Sequence, residues 1–184
     1  MRITGGSAKG QILKTLPGRM VRPTTDKVRE AIFSILQPLL SNWQRGLDLF
    51  AGSGALGIEA LSRDMKFVDF VDQNEKCCSI IRENLKKTGL LEKSHIYCCP
   101  TSRAIGFLAE PYDVIFMDPP YADNTLGNLI GQLDGSKLVT GKTIILASHA
   151  SRLPLEKKYN NLSLIKERKY GDTCISIYQK EVTS

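Results

Sequence analysis

The segment Asp48-Leu-Phe-Ala-Gly52-Ser-Gly54-Ala-Leu-Gly57 joins a short apolar run to a glycine-rich turn and then to a helical pattern. Glycines allow positive φ and close backbone approach, and the start of a helix offers N–H groups that lack partners. Such a turn suits a pyrophosphate or a carboxylate equally, and several kinds of nucleotide-binding domain share its spacing. The segment therefore predicts a small-ligand site where the first sheet strand ends.

Outward from this segment, strand and helix patterns alternate along the chain. Strands that alternate with helices imply a mostly parallel, doubly wound α/β sheet of the Rossmann-like kind, covered on both faces. Residues 1–15 alternate around glycines as in a short hairpin, and Thr25 can cap a first helix. We predict strands at 47–50, 67–71, 96–98, 112–117 and 143–147, helices at 55–62, 75–87, 102–108 and 126–133, and a closing antiparallel pair at 162–165 and 173–178.

A second informative motif, Asp118-Pro119-Pro120-Tyr121, follows the apolar run 112–117. Two prolines cannot continue a sheet ladder, so the strand stops at Asp118. The carboxyl ends of parallel strands are where open α/β sheets bind their ligands. A carboxylate beside a carbonyl accepts two N–H bonds, which suits a planar amine, and the tyrosine ring suits stacking on a base. A proline-stiffened turn is the alternative interpretation.

Acidic residues at the strand ends indicate which ligand the glycine turn holds. Asp72 ends the second predicted strand and can accept hydrogen bonds from ribose hydroxyls. Asp48 precedes the glycines, where a pyrophosphate would be repelled and an ammonium group attracted. S-adenosylmethionine has an ammonium, a carboxylate and a ribose, so a methyltransferase fits better than a NAD-dependent dehydrogenase. The predicted cofactor residues are Asp48, Phe50, Gly52, Gly54, Asp72, Gln73, Ser102 and Asp118.

Composition indicates a cytoplasmic globular protein. The 184 residues are 42% hydrophobic and 24% charged, with no apolar run near the roughly 20 residues that span a bilayer. The N-terminus lacks the apolar region of a signal peptide. The five cysteines show no C-x-x-C spacing. We therefore expect reduced thiols in the core and no metal site.

Basic charge is concentrated at the N-terminus. Residues 1–45 contain eight Lys and Arg residues and two acidic residues. The rest of the chain contains 17 basic and 17 acidic residues, so the whole net charge of +6 lies within residues 1–45. This segregation favours an arm that faces phosphates. The candidates are Lys9, Arg19, Arg22 and Arg29, although Arg29 has a structural alternative in pairing with Asp26 or Glu30, and the loop 22–24 has one as a lid over the cofactor.

Several motifs together resemble the class I methyltransferases and, more narrowly, the RsmD-type ribosomal RNA guanine-N2 methyltransferases. The glycine motif is widely shared, and its combination with the segment ahead of it is more specific. The resemblance covers nearly the whole chain and rests on Arg2-Ile-Thr-Gly-Gly with Lys9-Gly10, Arg22-Pro23-Thr24 before Val28-Arg29-Glu30, Asp48 to Leu61, Asp118-Pro-Pro-Tyr121 and the terminal stretch Gly171 to Tyr178.

The resemblance implies a seven-stranded sheet, S-adenosylmethionine as cofactor, and methylation of one guanine N2 amine in 16S ribosomal RNA. The substrate would be the 30S subunit or an assembly intermediate. We divide the chain into a basic extension at 1–24 with a small hairpin and a methyltransferase domain at 25–184, acting as a monomer without metal. Catalysis is assigned to Asp118, Pro119, Pro120 and Tyr121.

Two departures from the family pattern matter. Arg103 stands where the family usually has an Asp or Asn that binds the adenine amino group, and an arginine cannot accept a hydrogen bond. We therefore expect adenine to contact the backbone or Ser102. Ala147-Ser148-His149 stands where an acidic residue often ends the fifth strand.

Other functions stay open from the sequence alone. A DNA adenine-N6 or protein glutamine methyltransferase uses a similar motif on a planar amine. A non-catalytic RNA-binding protein with this fold is the other alternative, although the intact Asp48, Asp72 and Asp118 argue against decay of the site.

Overall fold

The structure is a computed structural model that describes residues 1–16, 25–40, 42–120 and 125–181. Over these ranges the chain forms five α-helices and eight β-strands, which confirms the predicted alternation. The helices are α1 (Asp26–Leu36), α2 (Ala55–Ser62), α3 (Glu75–Thr88), α4 (Thr101–Phe107) and α5 (Leu126–Asp134). The strands are β1 (Arg45–Leu49), β2 (Phe67–Asp72), β3 (Ser94–Cys98), β4 (Val114–Met117), β5 (Ile144–Ala150), β6 (Lys158–Tyr159), β7 (Leu162–Tyr170) and β8 (Thr173–Lys180).

Capping side chains fix where the helices on one side of the sheet begin. The Thr25 hydroxyl accepts a hydrogen bond from the Val28 N–H at the start of α1. The Asn74 side chain does the same for Lys76 at the start of α3, and Gly89, with φ of 71°, ends that helix. Both helices therefore start where the sequence predicts them.

One mixed sheet organises the molecule, in the order β3-β2-β1-β4-β5-β8-β7-β6. The first five of these strands are parallel, and β8 and β7 continue the sheet antiparallel to their neighbours. Chain order reverses between β1 and β4, so the carboxyl ends of these two strands form the switch point where such sheets bind ligands. Each helix of the described part is too short or too polar to cross a membrane.

Two apolar cores cover the two faces of this sheet. Alternate residues of β4 show the division, because Val114 and Phe116 join the core formed with α1, α2 and α3. Ile115 and Met117 join the core formed with α4 and α5. The doubly wound arrangement is therefore as predicted.

The strand count differs from the implied seven. Lys158–Tyr159 pairs with Ser163 and Leu162 on the outer side of β7 and adds an eighth strand of two residues. The Leu164 N–H also donates to the Lys157 carbonyl at 2.8 Å. The sequence leading into β7 thus folds back on it.

Cysteine burial also differs in part from the prediction. Cys77, Cys78 and Cys174 are buried free thiols, but Cys98 is exposed and Cys99 is half-buried. The physical reason is that β3 is the edge strand of the sheet, with one side that no other strand covers. The expectation of a core thiol at Cys98 is therefore wrong.

The N-terminal extension pairs as a hairpin and packs on the domain. Arg2 and Ile12 form an antiparallel bridge, and Ile3 and Leu13 are buried in the core formed with α1, α2 and α3. At its turn, the Ser7 N–H donates to the carbonyl of Ser62, the last residue of α2, at 2.8 Å. The extension therefore caps the end of α2.

Gly6→Ala tests this packing. Gly6 has φ of 76°, and a Cβ there would lie 1.7 Å from the Ser62 carbonyl oxygen. Left-handed strain costs about 1–2 kcal/mol and overpacking about 1–3 kcal/mol more. We expect the free energy of unfolding, measured in urea, to fall by about 3 kcal/mol.

Gly10→Ala is the matched control, because Gly10 has φ of 88° and a Cβ there would meet nothing within 4 Å. Its free energy of unfolding should fall only by the cost of the left-handed strain, about 1–2 kcal/mol. Equal losses in the two variants would contradict the close approach of the extension to α2.

Candidate active site

The glycine turn brings the backbone sharply from β1 into α2. Gly54 caps α2 in the left-handed region with φ of 79°, and Phe50 also has a positive φ, of 63°. The turn rests on β2, because the Ala51 N–H donates to the Val71 carbonyl at 3.0 Å. The result is a compact loop at the carboxyl end of β1, as the sequence predicts.

Asp72 organises this loop. One carboxylate oxygen accepts the Gly52 N–H at 2.8 Å, and the other accepts the Asn74 N–H at 2.9 Å. A carboxylate has about four acceptor positions, so both oxygens keep capacity for a further donor. The residue predicted to bind a ribose is therefore also one that shapes the turn.

Asp48 lies beneath the loop and is only 1% exposed. Its carboxylate accepts the Gly57 N–H at 2.9 Å. Burial raises the pKa of Asp48 to about 8; the Gly57 bond opposes this shift, and the charges of Asp118 and Asp72 add to it. Burial therefore favours the protonated form of Asp48 in the folded chain.

A cavity of about 450 Å³ opens beside these residues. Its volume is in the range of small-molecule sites. Six residues of the predicted site line it, namely Phe50, Asp72, Gln73, Ser102, Asp118 and Pro120. Asp48, Gly52 and Gly54 do not line it and lie in or under the adjoining turn.

Asp118 follows β4 directly and is half-buried, whereas Pro119 is buried and Pro120 is exposed. The electrostatic influence of Asp118 on Asp48 places the two carboxyls near each other across β1 and β4. Tyr121 lies outside the described residues. The strand end, the carboxylate and the cavity thus meet at one edge of the sheet.

Other lining residues were not predicted from the sequence. They are Pro100, Thr101, Thr125, Asn128, Leu129 and Gln132. Asn128 and Gln132 are four residues apart, so they share one face of α5. The spacing of these two amides, in the helix after the proline motif, is the sequence signal from which they could have been predicted. Arg103 is exposed and does not line the cavity, whereas its neighbour Ser102 does.

The predicted RNA-contacting residues are placed differently from one another. Lys9 is exposed, and Arg19 and Arg22 lie outside the described residues. Arg29 is fully buried; its guanidinium bonds to the Asp26 carboxylate at 2.8 Å and to the Arg2 carbonyl. A buried side chain cannot reach a phosphate, so the prediction for Arg29 is wrong and its structural alternative is correct.

One group of possible metal ligands occurs in the described ranges, formed by His149, Glu167 and Cys174, with ligand atoms within 4.8 Å of one another. Both imidazole nitrogens are already engaged. Nδ1 lies 3.0 Å from the Leu153 carbonyl and Nε2 lies 2.9 Å from the Ser176 hydroxyl. We assign this group to the hydrogen-bonded packing of β5, β8 and β7.

Known proteins resemble this chain over its full length. The model of the family described as conserved hypothetical protein 95 matches residues 1–179. "Putative rRNA methyltransferase YlbH" of Bacillus subtilis is 38% identical over 98% of this chain and 99% of that protein. Ribosomal RNA small subunit methyltransferase D of Escherichia coli K12 is 32% identical over 98% of this chain and 90% of its own.

A solved structure agrees with the fold. That of "Putative methyltransferase yhhF" from Escherichia coli superposes with a TM-score of 0.87 at 30% identity, covering 100% of this chain and 99% of that one. The fold is therefore shared with that protein over the whole chain.

Asp48→Asn tests the electrostatics of the site. The pKa of Asp48 is about 8 in the folded chain against an ordinary value of 3.8. Between these pH values the folded chain keeps a proton that the unfolded chain has lost, so stability falls as pH rises from about 4 to about 8. Each unit is worth ~1.4 kcal/mol. In wild type the free energy of unfolding should therefore fall by a few kcal/mol over this range. Measured by urea unfolding from pH 4 to 9, that of the variant should not show this fall.

Asp64→Asn, at an exposed carboxylate, is the control and should keep the wild-type slope. Parallel stability profiles of wild type and Asp48→Asn would show that Asp48 does not hold the proton.

Proposed function

The chain belongs to the conserved hypothetical protein 95 family, that of the RsmD-type methyltransferases, and we propose that it methylates one guanine N2 amine in 16S ribosomal RNA. The substrate would be the 30S subunit or its assembly intermediate, and the enzyme a cytoplasmic monomer. The observation that carries the proposal is Asp118 at the end of β4, on the wall of a cavity that Asp72 also lines.

The site fits S-adenosylmethionine, which supplies an electrophilic methyl group on sulfur when bound. Asp72 has acceptor capacity for the ribose hydroxyls, with Phe50 and Gln73 beside it on the cavity wall. Ser102 also lines the cavity and would contact the adenine in place of the usual Asp or Asn. Asp48 lies under the adjoining turn and does not line the cavity, so it would support the cofactor site through its hydrogen bond with the Gly57 N–H.

The amine would be held by the proline motif. The Asp118 carboxylate and the Pro119 carbonyl can accept its two N–H bonds, which turns the nitrogen lone pair toward the methyl donor. The base must leave its stack to reach this depth, and Tyr121 would stack on it. Positioning and exclusion of water would give most of the rate gain. Asp118 need not be a strong base, because the nitrogen loses its proton readily once it is cationic.

The rival enzymes methylate a similar planar amine, and the relatives that match nearly the whole chain favour ribosomal RNA over them. Adenine-N6 DNA and protein glutamine methylation require the same two acceptors, so the site geometry does not separate them from guanine N2. The named methyltransferase relatives that match 98% of this chain act on ribosomal RNA according to their names, which favours ribosomal RNA here. A non-catalytic RNA-binding role leaves the acidic cavity without a purpose.

A parallel methyl-transfer assay tests the substrate. Wild-type protein with tritiated S-adenosylmethionine is incubated with 30S particles, naked 16S RNA and DNA. We expect label in a single guanine of the ribosomal RNA, identified by nuclease digestion and chromatography. Incorporation into DNA alone would refute the proposal.

Asp118→Ala tests the site. The variant loses an acceptor for the amine and leaves the residues Asp72 and 50–54 unchanged. We expect turnover to fall about 10³-fold, as when a positioned transition-state contact is removed. The dissociation constant for S-adenosylhomocysteine, measured by calorimetry, should stay within a few-fold. Near-normal methylation would remove the assignment of Asp118.

Salt dependence tests the basic extension. Phosphate contacts release counterions, so the logarithm of RNA affinity should fall linearly with that of salt concentration. The double variant Arg19→Ala, Arg22→Ala should reduce the slope by about 0.7–0.9 per residue. Lys142→Ala, exposed in the loop before β5, is the control and should leave the slope unchanged. An affinity that does not change with salt would exclude phosphate binding by the extension.

A further inference from the structure

Asn84 of α3 is buried, with 1% exposed, and its side-chain amide forms three hydrogen bonds to backbone atoms of two other segments. Its Oδ1 accepts the Lys14 N–H at 2.8 Å, and its Nδ2 donates to the Lys14 carbonyl at 3.0 Å. The same Nδ2 donates to the Ser53 carbonyl at 2.9 Å. Because N–H groups only donate and carbonyls only accept, the orientation of the amide is fixed.

The two segments that meet at Asn84 have separate roles in the proposed reaction. Ser53 lies between Gly52 and Gly54, so its carbonyl belongs to the turn beside the cofactor cavity. Lys14 belongs to the basic extension and precedes Arg19 and Arg22 in the chain. One side chain therefore holds both the turn and the extension.

Exposed contacts add little to this junction. The Lys14 ammonium pairs with Glu83 at 2.7 Å, but both side chains are more than half exposed. Such pairs contribute little to stability, whereas a buried amide that loses its partners leaves polar groups unsatisfied. At the other end of the extension, the Ser53 hydroxyl lies 3.6 Å from the Met1 sulfur. Within the described part of the extension, the strong link to the turn is thus Asn84.

We infer that Asn84 is a positioning residue that couples the basic extension to the cofactor turn. Moving the Lys14 backbone would pull on the amide that holds the Ser53 carbonyl. Ordering the turn around the cofactor would likewise fix the extension for RNA. This inference rests on the proposed function, and linkage requires that each ligand change the affinity for the other by the same factor.

The variant Asn84→Asp tests the cofactor side without RNA. A carboxylate has nearly the same shape but only accepts, so it would face the carbonyls of Lys14 and Ser53 without a donor. We expect the dissociation constant for S-adenosylhomocysteine to rise about 10-fold by calorimetry, the size expected for lost buried hydrogen bonds. Glu83→Gln, which removes only the exposed ion pair, is the matched control and should stay within two-fold of wild type.

The coupling is then measured with 30S particles and with S-adenosylhomocysteine, which allows no turnover. In wild type, saturating S-adenosylhomocysteine should tighten particle binding at least about five-fold, the lower end of typical allosteric couplings. The factor should fall below two-fold in Asn84→Asp and remain unchanged in Glu83→Gln. A purely structural role would lower stability and leave this factor intact.

Each outcome decides between the proposals. If Asn84→Asp binds S-adenosylhomocysteine as tightly as wild type and also shows the full coupling factor, the inference is overturned. A wild-type protein that binds S-adenosylhomocysteine but neither binds nor methylates 30S particles would refute the proposed function, and the cofactor measurement would still decide the role of Asn84. If circular dichroism shows that Asn84→Asp does not fold, the neutral Asn84→Ser, which keeps one donor, is measured with the same expected losses.

Discussion

The backbone of the glycine turn between β1 and α2 depends on polar side chains that hold it from three directions. Asp48 from β1, Asp72 from β2 and Asn84 from α3 each bind a different backbone group of the turn or of the helix start that follows it. A buried polar group without its partner costs about 1–3 kcal/mol, so glycines alone would not keep one conformation. The elements that carry these side chains therefore determine where a ligand can lie.

A buried ionic network joins the N-terminal extension to the rest of the molecule. Glu59 of α2 has no exposed side-chain surface, and its carboxylate accepts hydrogen bonds from the backbone and hydroxyl of Thr4. It also pairs with Arg63 at 2.8 Å and lies 4.0 Å from Arg29. A buried charge is tolerated only with such partners. Part of the basic charge of residues 1–45 thus neutralises buried acids.

How much of the structure could be predicted depends on how far apart along the chain the interacting residues lie. Element types and the glycine turn could be predicted, because apolar periodicity, caps and prolines act within a few residues. The pairing of Lys158–Tyr159 with β7 and the exposure of Cys98 depend on which strands lie at the edges of the sheet. Local sequence patterns do not contain that information. Arg29 shows the same limit, since its sequence neighbours left both RNA binding and pairing with Asp26 open, and its complete burial decides between them. The amides of α5 were missed because their significance arises only once that helix faces the cavity.

The concentration of acids at one sheet edge favours a cationic ligand on energetic grounds. Asp48, Asp72 and Asp118 lie near enough for the last two to raise the pKa of the first, so the unliganded protein carries their mutual repulsion and a desolvated carboxyl. Protonation of Asp48 relieves part of this cost. A dinucleotide pyrophosphate would add negative charge to the same edge and increase the repulsion. A sulfonium with an ammonium group would instead bring positive charge to this edge, so its acids favour the proposed S-adenosylmethionine over NAD.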